Sequence, residues 1–406
     1  MNELKAVSGV GGQRESLFAQ FARVFDGWTD ADTGVRVLRI RPKGEDWRPG
    51  LIATPYQQSR AFFDGGRKVM LRHAKEGKRA IDHDSNVILL DLTTGLMESL
   101  PPVIGYDDRA EYGVRHDPTG DGQHRTALLN LRTGEESSSV TTEDDWQISG
   151  GTLLADGRRV VVAHSRGVFY DEYCQTRFYL LSPGEEPRLI LEMDGFRGNH
   201  LMACPTDPEL FAYNAWPTPK PDYVDGVTSI ASADGRVNYV IPLDDRAPRP
   251  GDFWGVRDHY VWTPDGNRIV SYLDTARIVY PSPDFNHFTL DWWLSSLDWR
   301  TGVDDCAQYP PGRWGGHMQT APDSRWIVNG GGPGFDKLYA VDLWALKDGW
   351  NEQIICSYPE TNAEGALIHY YPYPFVLPDQ SGVIFNAGWL GPEHGVYLAE
   401  WPAWLG

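Results

Sequence analysis

The chain has 406 residues, and its 37 Lys and Arg against 56 Asp and Glu give a formal net charge of −19. This charge disfavours a nucleic acid or an anionic membrane as partner, because both would repel the protein at long range, although a few local arginines can still bind an anionic small ligand. No apolar run approaches the roughly 20 residues of a membrane helix, and the N-terminus lacks the apolar segment of a secretory signal. The four cysteines are widely spaced without a CxxC pair, so we expect a reduced, cytoplasmic protein.

Only residues 12–25 have the apolar spacing of an amphipathic helix, with Leu17, Phe18, Phe21 and Phe25 on one side. The remainder consists of short β-branched and aromatic runs separated by turn residues, and it is rich in glycine (43) and proline (29). This pattern predicts an all-β chain that follows a short helical extension.

A sequence unit recurs seven times along the chain. Each unit has a turn of Pro-Asp-Gly type followed by an apolar strand, such as KVMLRH, RVVVAH or GVIFNA. The turn aspartates are Asp64, Asp108, Asp156, Asp207, Asp265, Asp323 and Asp379, at steps of 44 to 58 residues. Seven units of about 50 residues with roughly four strands each predict a seven-bladed β-propeller.

The two ends of the chain suggest how the ring closes. Residues 26–41 hold an outer strand without a preceding turn, and the last unit ends at GVYLAEWP without its outermost strand. We therefore expect residues near 35–41 to complete the last blade. The predicted organisation is an N-terminal extension over residues 1–25 and a single propeller domain over residues 26–406.

Blade geometry predicts which side chains meet at the central funnel. The start of each inner strand and the loop after each second strand lie on the same face of a propeller. One register, five residues before the turn proline, carries an imidazole or a phenol in four successive units: His200, His259, His317 and Tyr373. We predict that these four are catalytic. The alternative is that they are polar plugs that hydrogen-bond around the channel.

Cations and aromatic loops accompany this register. Arg197, Arg257 and Arg313 stand just before the histidines and predict a site for a carboxylate, unless each is paired with a local acid such as Asp258. The loops over residues 164–176, 214–226 and 274–293 are rich in aromatic residues and proline. These loops predict walls for sugar rings, unless they pack between blades. The predicted substrate-binding residues are Arg166, Tyr173, Arg197, Arg313, Gln319 and Tyr371.

Several stretches resemble the oligogalacturonate lyases of pectin breakdown. They include FDGWTDADTGVRVLRI, FRGNHLMACPTDPELFAYN, RDHYVWTPDGNRIVSYL, GGHMQTAPDSRWIVNGGG and the closing YPYPFVLPDQSGVIFNAGWLGPEHGVYLAEWP, and they span nearly the whole chain in order. The resemblance implies a seven-bladed propeller that cleaves short galacturonate chains by β-elimination.

The resemblance also implies where the chemistry has changed. The family holds a manganese-type ion with a histidine at the position of His317, and with a glutamine and two histidines of a His-Pro-His-Pro segment. This chain keeps His317, but the segment reads Tyr371-Pro372-Tyr373-Pro374, and the glutamine position falls near Ile368 and His369. Phenols are poor ligands for such an ion.

The family's arginine base is also missing, since the corresponding loop around Gly226 offers only Lys220 nearby. We expect a rebuilt site and a substrate other than plain oligogalacturonate. The sequence does not decide whether a cofactor binds. If a divalent ion such as Mn²⁺ or Ca²⁺ binds, His317 is its expected ligand, and we expect that ion not to be catalytic.

The leading hypothesis is a lyase that acts on a uronate-containing, anionic oligosaccharide. β-Elimination needs neutralisation of the carboxylate, a base at C5 and an acid at the leaving oxygen, and arginine, histidine and tyrosine can supply all three. The residue set is similar to that of propeller uronate lyases that use no catalytic metal. One version would release a terminal sugar, such as rhamnose, from glucuronate.

Two alternatives remain open from the sequence. A glycoside hydrolase needs two carboxyl groups about 5 to 10 Å apart, and candidates are Asp171, Glu172, Asp222, Asp225 and Asp284. The second alternative to the lyase is a non-catalytic propeller that binds sugar. Assays separate the three, because a lyase product absorbs ultraviolet light through its new double bond, a hydrolase product does not, and a scaffold gives no product.

Overall fold

The computed structural model describes most of the chain. The described residues are 15–44, 51–55, 61–75, 86–100, 112–119, 122–131, 133–143, 145–167, 173–218, 227–241, 254–276, 290–311, 313, 317–330, 337–358, 372–387 and 395–405. Over these ranges the protein is nearly all β, and no helix is long and apolar enough to cross a membrane.

The strands form seven antiparallel sheets, the blades of a seven-bladed β-propeller. The chain begins with α1 (Leu17–Phe21), β1 (Gly27–Thr29) and β2 (Arg36–Arg39). Blade 1 contains β3 (Ile52–Ala53), β4 (Phe62–Phe63), β5 (Lys68–His73), β6 (Asn86–Asp91) and β7 (Met97–Leu100). Blade 2 contains β8 (Tyr112–Pro118), β9 (Gln123–Asn130) and β10 (Glu136–Glu143).

Blades 3 to 6 each contain four described strands. Blade 3 contains β11 (Trp146–Leu153), β12 (Val160–Arg166), β13 (Gln175–Leu181) and β14 (Arg188–Asp194). Blade 4 contains β15 (Phe196–Ala203), β16 (Leu210–Pro217), β17 (Val227–Ser232) and β18 (Asn238–Val240). Blade 5 contains β19 (Trp254–Trp262), β20 (Arg268–Ala276), β21 (Leu290–Asp298) and β22 (Asp304–Gln308). Blade 6 contains β23 (Met318–Thr320), β24 (Trp326–Gly330), β25 (Lys337–Asp342) and β26 (Glu352–Ser357).

Blade 7 joins the two ends of the chain. Its own strands are β27 (Phe375–Val376), β28 (Gly382–Ala387) and β29 (Gly395–Glu400), and β2 and β1 lie in the same sheet. The sequence placed residues near 35–41 in the last blade, and β2 pairs antiparallel with β29, with Val37 opposite Ala399. The N-terminal segment thus contributes two strands where the sequence suggested one.

Aspartate side chains hold the turns between the first two strands of the blades, which is why Asp recurs there in the sequence. The carboxylate of Asp265 accepts the backbone amide of Asn267, that of Asp323 accepts the amide of Arg325, and that of Asp156 accepts the amide of Arg158. These are Asx-type turns, which the carboxylate stabilises locally without help from the core.

The hydrophobic core lies between neighbouring blades. The central strands β24 and β28 are buried along their whole length, whereas the outer strand β18 is exposed along its whole length. Rings from central and inner strands fill the inter-blade layers, and the largest fully buried side chains include Tyr213, Tyr260, Tyr339 and Tyr397. Burial on both faces explains why the second strand of each unit reads as a continuous apolar run.

The N-terminal helix is shorter than the sequence predicts. Residues 12–25 were expected to be helical, but α1 ends at Phe21, and Ser16 caps its first turn by accepting the amide of Ala19. After the helix the chain turns and enters β1, where Gly27 lies too close to the backbone of Val37 for any side chain. The predicted apolar face still packs into the core between blades 7 and 1.

We predict that Leu38→Ala lowers the free energy of unfolding by about 2 to 5 kcal/mol, because Leu38 is fully buried on β2 and its loss leaves a cavity. Denaturant unfolding followed by circular dichroism measures the change. The matched control is Leu189→Ala on the outer strand of blade 3, where the side chain is 47% exposed and the expected cost is below about 1 kcal/mol. Equal effects of the two substitutions would contradict a structural role for β2.

Candidate functional site

The four residues of the predicted register come together at one end of the funnel. The ring of His200 lies 5.4 Å from that of His259, between centroids, and His259 lies 4.5 Å from His317. His317 in turn contacts the ring of Tyr373 at 4.4 Å, edge to face. Four successive blades thus place three imidazoles and one phenol in a continuous arc, which we call the funnel arc. Their catalytic roles stay predictions.

Three residues of the funnel arc have a left-handed backbone. The φ angles are 52° for His200, 48° for His259 and 40° for Tyr373. His200 and His259 lie at β-bulges, where the pairing with the second strand shifts register after Asn199 and after Asp258. A bulge turns a side chain out of the regular alternation of a strand, and such positions are frequent at functional sites.

Neighbouring blades hold these strained backbones in place. The hydroxyl of Tyr260, in blade 5, donates to the carbonyl of His200 in blade 4. The hydroxyl of Thr54, after β3 of blade 1, donates to the carbonyl of Tyr373 at 3.1 Å. Asn386 accepts the amide of Thr54 through its side chain at 2.9 Å, which ties blades 1 and 7 together behind the tyrosine.

Buried side chains on the second strands orient the imidazoles. Tyr272, on β20, places its hydroxyl 2.7 Å from Nδ1 of His259, and the two rings are stacked. Asn214, on β16, has its side-chain amide 3.5 Å from Nδ1 of His200 and accepts the hydroxyl of Thr228 at 2.9 Å. Both His200 and His259 therefore direct Nδ1 toward a side chain of the second strand of their own blade.

An oriented tryptophan lies beside the funnel arc. Trp216, near the end of β16, is half-buried, and its indole Nε1 donates to the side chain of Asn199 at 2.7 Å. Its ring stands edge-on to that of His200 at 6.2 Å. Arg197 pairs with Trp216 across the two strands and is also half-buried, so an aromatic surface and a guanidinium lie on the same side of blade 4.

The other predicted substrate-binding cations are bound to carboxylates. Arg166 pairs with Asp145 at 2.5 Å, and both side chains are about half-exposed. Arg313 pairs with Glu352, on the outer strand of blade 6, at 2.6 Å. For Arg313 the structure shows the pairing with an acid that the sequence left as an alternative.

Two of the remaining predicted substrate-binding residues lie in the described part of the chain. Tyr173 is 58% exposed in the loop after β12, and Gln319 is half-buried on β23, where its side chain accepts the amide of Thr320. Tyr371 lies outside the described residues. So do the candidate hydrolase carboxylates, which are Asp171, Glu172, Asp222, Asp225 and Asp284.

A second group of histidines lies between blades 2 and 3. His164, on β12, is fully buried, and the hydroxyl of Thr126 lies 2.8 Å from its Nε2 and 2.8 Å from Nδ1 of His116. His124 stacks on His116 at 5.1 Å. Burial, together with the neighbouring His116 and His124, lowers the pKa of His164 from 6.5 to about 4. His164 is therefore neutral at physiological pH.

The second-strand residues behind the funnel arc were not identified from the sequence. His164, Asn214 and Tyr272 each pair with the last inner-strand residue before a bulge, so they occupy one structural position in blades 3, 4 and 5. The signal was present in the repeats, because the apolar run of each unit contains a His, Asn or Tyr near its end. To recognise that these residues share one structural position, one must know how the second strand pairs with the inner strand, and sequence spacing alone does not provide this pairing.

Comparison with known proteins supports the fold. No protein-family model and no curated protein matches the chain. A solved oligogalacturonate lyase in complex with manganese is 20% identical, with a TM-score of 0.64, over 94% of this chain and 97% of that chain. An oligogalacturonate lyase from Vibrio parahaemolyticus is 18% identical, with a TM-score of 0.65, over 94% and 98% of the two chains.

The fold is shared more widely. Hydrazine synthase of Kuenenia stuttgartiensis is 14% identical, with a TM-score of 0.53, over 87% of this chain and 97% of that chain. The likeness to oligogalacturonate lyases confirms the seven-bladed propeller and the resemblance at the level of fold. Activity does not follow from it, since function resides in the site rather than in the fold.

The manganese of that lyase raises the question of a metal in this chain. Among the described residues, no group of three or more His, Cys, Asp or Glu side chains is arranged to hold a metal ion. Next to His317 stands the phenol of Tyr373, a poor ligand for a hard divalent ion. The described donor set does not fit such a site, and we derive no catalytic step through a metal.

We predict that His164→Asn makes the stability of the protein less sensitive to acid. Between pH 6.5 and about 4 the unfolded chain binds a proton that the buried imidazole excludes, so wild-type stability falls as the pH falls through this window. Asn, which blade 4 carries at the same position, cannot take up that proton. Thermal unfolding across the window measures the effect, with His73→Asn in blade 1 as control. Parallel curves for wild type and His164→Asn would contradict the prediction.

Proposed function

We propose that the protein is a lyase that cleaves a uronate-containing oligosaccharide by β-elimination and leaves an unsaturated uronate on one product. The observation that carries the proposal is the funnel arc, in which three imidazoles and a phenol from four blades are in mutual contact. Acid–base groups with strained backbones at one point of a funnel are what proton transfer to and from one sugar requires.

At the sugar ring the reaction breaks the C5–H and C4–O bonds and forms the C4–C5 double bond. A base removes the proton at C5, the electron pair forms the C4–C5 double bond, and the C4–O bond breaks as an acid protonates the leaving oxygen. We assign the base to an imidazole, because a neutral histidine accepts a proton near physiological pH. Tyr373, at the other end of the arc, is suited to protonate the leaving oxygen.

The substrate carboxylate needs a positive or hydrogen-bonding partner, since its charge must be offset before the C5 proton becomes acidic. We assign this role to Arg197, because it lies on the same side of blade 4 as Trp216, whose ring stands beside that of His200. We propose an anionic oligosaccharide as ligand, with glucuronate linked to rhamnose among the first to test.

The decisive experiment is a screen of uronate oligosaccharides with and without a chelator, followed by ultraviolet absorbance and reducing-sugar release. An absorbing product supports the lyase. Reducing sugar without absorbance would replace it with a hydrolase, and binding without any product would replace it with a sugar-binding propeller. Complete loss of activity on chelation, restored by Mn²⁺ or Ca²⁺, would return the chain to a metal-dependent mechanism.

We predict that Tyr373→Phe lowers kcat by about 10²- to 10⁴-fold, the usual contribution of a positioned acid. His317→Ala should also lower kcat, because its ring contacts those of both His259 and Tyr373. Initial rates on the substrate found in the screen measure the loss. The matched control is Tyr239→Phe, on the outer strand of blade 4, where the ring is 43% exposed and activity should stay at the wild-type level. Full activity of Tyr373→Phe would remove the phenol from the mechanism.

We predict that Trp216→Ala raises KM by roughly 5- to 10-fold with a smaller change in kcat, because an oriented indole beside His200 offers a stacking surface worth about 1 kcal/mol. Steady-state kinetics separate the two constants. Trp344→Ala is the control, since this 64% exposed indole follows β25 and lies against Arg325. A fall in kcat alone would assign Trp216 to the support of His200 rather than to sugar binding.

A further inference from the structure

Tyr272 and His259 form a rigid pair in blade 5. Tyr272 lies on β20, opposite Asp258 of β19, and His259 is the next residue, at the bulge. The phenol oxygen lies 2.7 Å from Nδ1 of the imidazole, and the rings stack at 5.3 Å with an angle of 23° between their planes. Tyr272 is 8% exposed and packs in the core between blades 5 and 6, so the hydroxyl is fixed in place.

The chemistry of this pair differs from that of the neighbouring pair in blade 4. The partner of His200 is the side-chain amide nitrogen of Asn214, which can only donate a hydrogen bond. His200 therefore accepts at Nδ1, and its neutral ring carries the proton on Nε2, toward the funnel. A phenol can donate or accept, so His259 keeps its partner whichever ring nitrogen carries the proton.

We propose that Tyr272 is the positioning residue that makes His259 the base of the elimination, a role that rests on the proposed lyase function. In the resting state Nδ1–H of His259 donates to the phenol oxygen of Tyr272, and Nε2 presents its lone pair to C5 of the sugar. Nε2 takes the C5 proton, and the imidazolium keeps its bond to Tyr272. No proton passes to the phenol, and His200 acts as a hydrogen-bond donor to the substrate.

This division of roles follows a general rule of base catalysis. A base works best when a third group fixes its orientation and tautomer, as the acidic member of a catalytic triad does. Tyr272 would do this through a neutral oxygen, without burying a charge in the inter-blade core. The rings of His200 and His317 are the neighbours of His259 in the funnel arc, with centroids 5.4 Å and 4.5 Å from its own.

The first test compares Tyr272→Phe with Tyr213→Phe. Both substitutions remove one hydroxyl from a buried ring, and both break one 2.7 Å hydrogen bond, since Tyr213 donates to Asn238 away from the funnel arc. We expect Tyr272→Phe to lower kcat roughly 10- to 100-fold, a part of the contribution of an oriented base, with KM unchanged. Tyr213→Phe should keep wild-type kinetics. Equal kinetics for wild type and Tyr272→Phe would overturn the proposal and leave the lyase function intact.

The second test needs no substrate, and the tautomer is read from the wild-type protein. Nitrogen-15 NMR of wild-type protein labelled at histidine reports which ring nitrogen carries the proton, and His259→Gln identifies the resonance. We expect the Nδ1–H tautomer for His259 and the Nε2–H tautomer for His200. An Nε2–H tautomer at His259 would overturn the proposal.

Failure of the proposed function has a different signature. If the wild type gives no unsaturated product with any uronate, the proposed function fails, and the role of Tyr272 in catalysis fails with it.

Discussion

The left-handed backbone at His200, His259 and Tyr373 is the distortion on which the geometry of the site depends. Each such residue costs on the order of 1 to 3 kcal/mol, and it persists only where its surroundings hold it. Here the bonds come from the next blade around the ring. Tyr260 holds the carbonyl of His200, and Thr54 holds that of Tyr373. The arc of rings therefore exists only when neighbouring blades are packed, which couples the site directly to the fold.

A chain of net charge −19 must recognise an anion through local groups rather than through its overall field. The structure limits which groups are suited to do so. Arg166 and Arg313 are committed to ion pairs with Asp145 and Glu352, and His164 is kept neutral by burial. In the proposed lyase, Arg197 and neutral donors of the funnel arc recognise the carboxylate. Such a site offsets the charge of one carboxylate without attracting polyanions in general, consistent with a short oligosaccharide as the ligand.

The sequence predicted the parts of this molecule that repeat, because a turn held by its own aspartate and a strand buried on both faces leave local signals. The seven units, the second strands and the register of His200, His259, His317 and Tyr373 all follow from such signals. Pairing between distant residues could not be read in the same way. Glu352 and Arg313 are 39 residues apart in the sequence, and Tyr272 meets His259 only across a bulge. The helix was also overextended, since the apolar spacing of residues 12–25 continues beyond Phe21, where α1 ends.

One structural position gives the repeated blades different proton chemistry. Where β12 carries His164, β16 carries Asn214 and β20 carries Tyr272, although all three meet the inner strand just before a bulge. In blade 3 the bulge residue is Ser149, which offers no ring, and His164 turns instead to Thr126 of blade 2. In blade 4 the amide nitrogen of Asn214 faces the imidazole and donates, whereas the phenol of blade 5 can donate or accept, so blades that look alike in backbone differ in the hydrogen bond they make to the imidazole. In the proposed mechanism this difference places a donor in blade 4 and an acceptor in blade 5 around a single sugar ring.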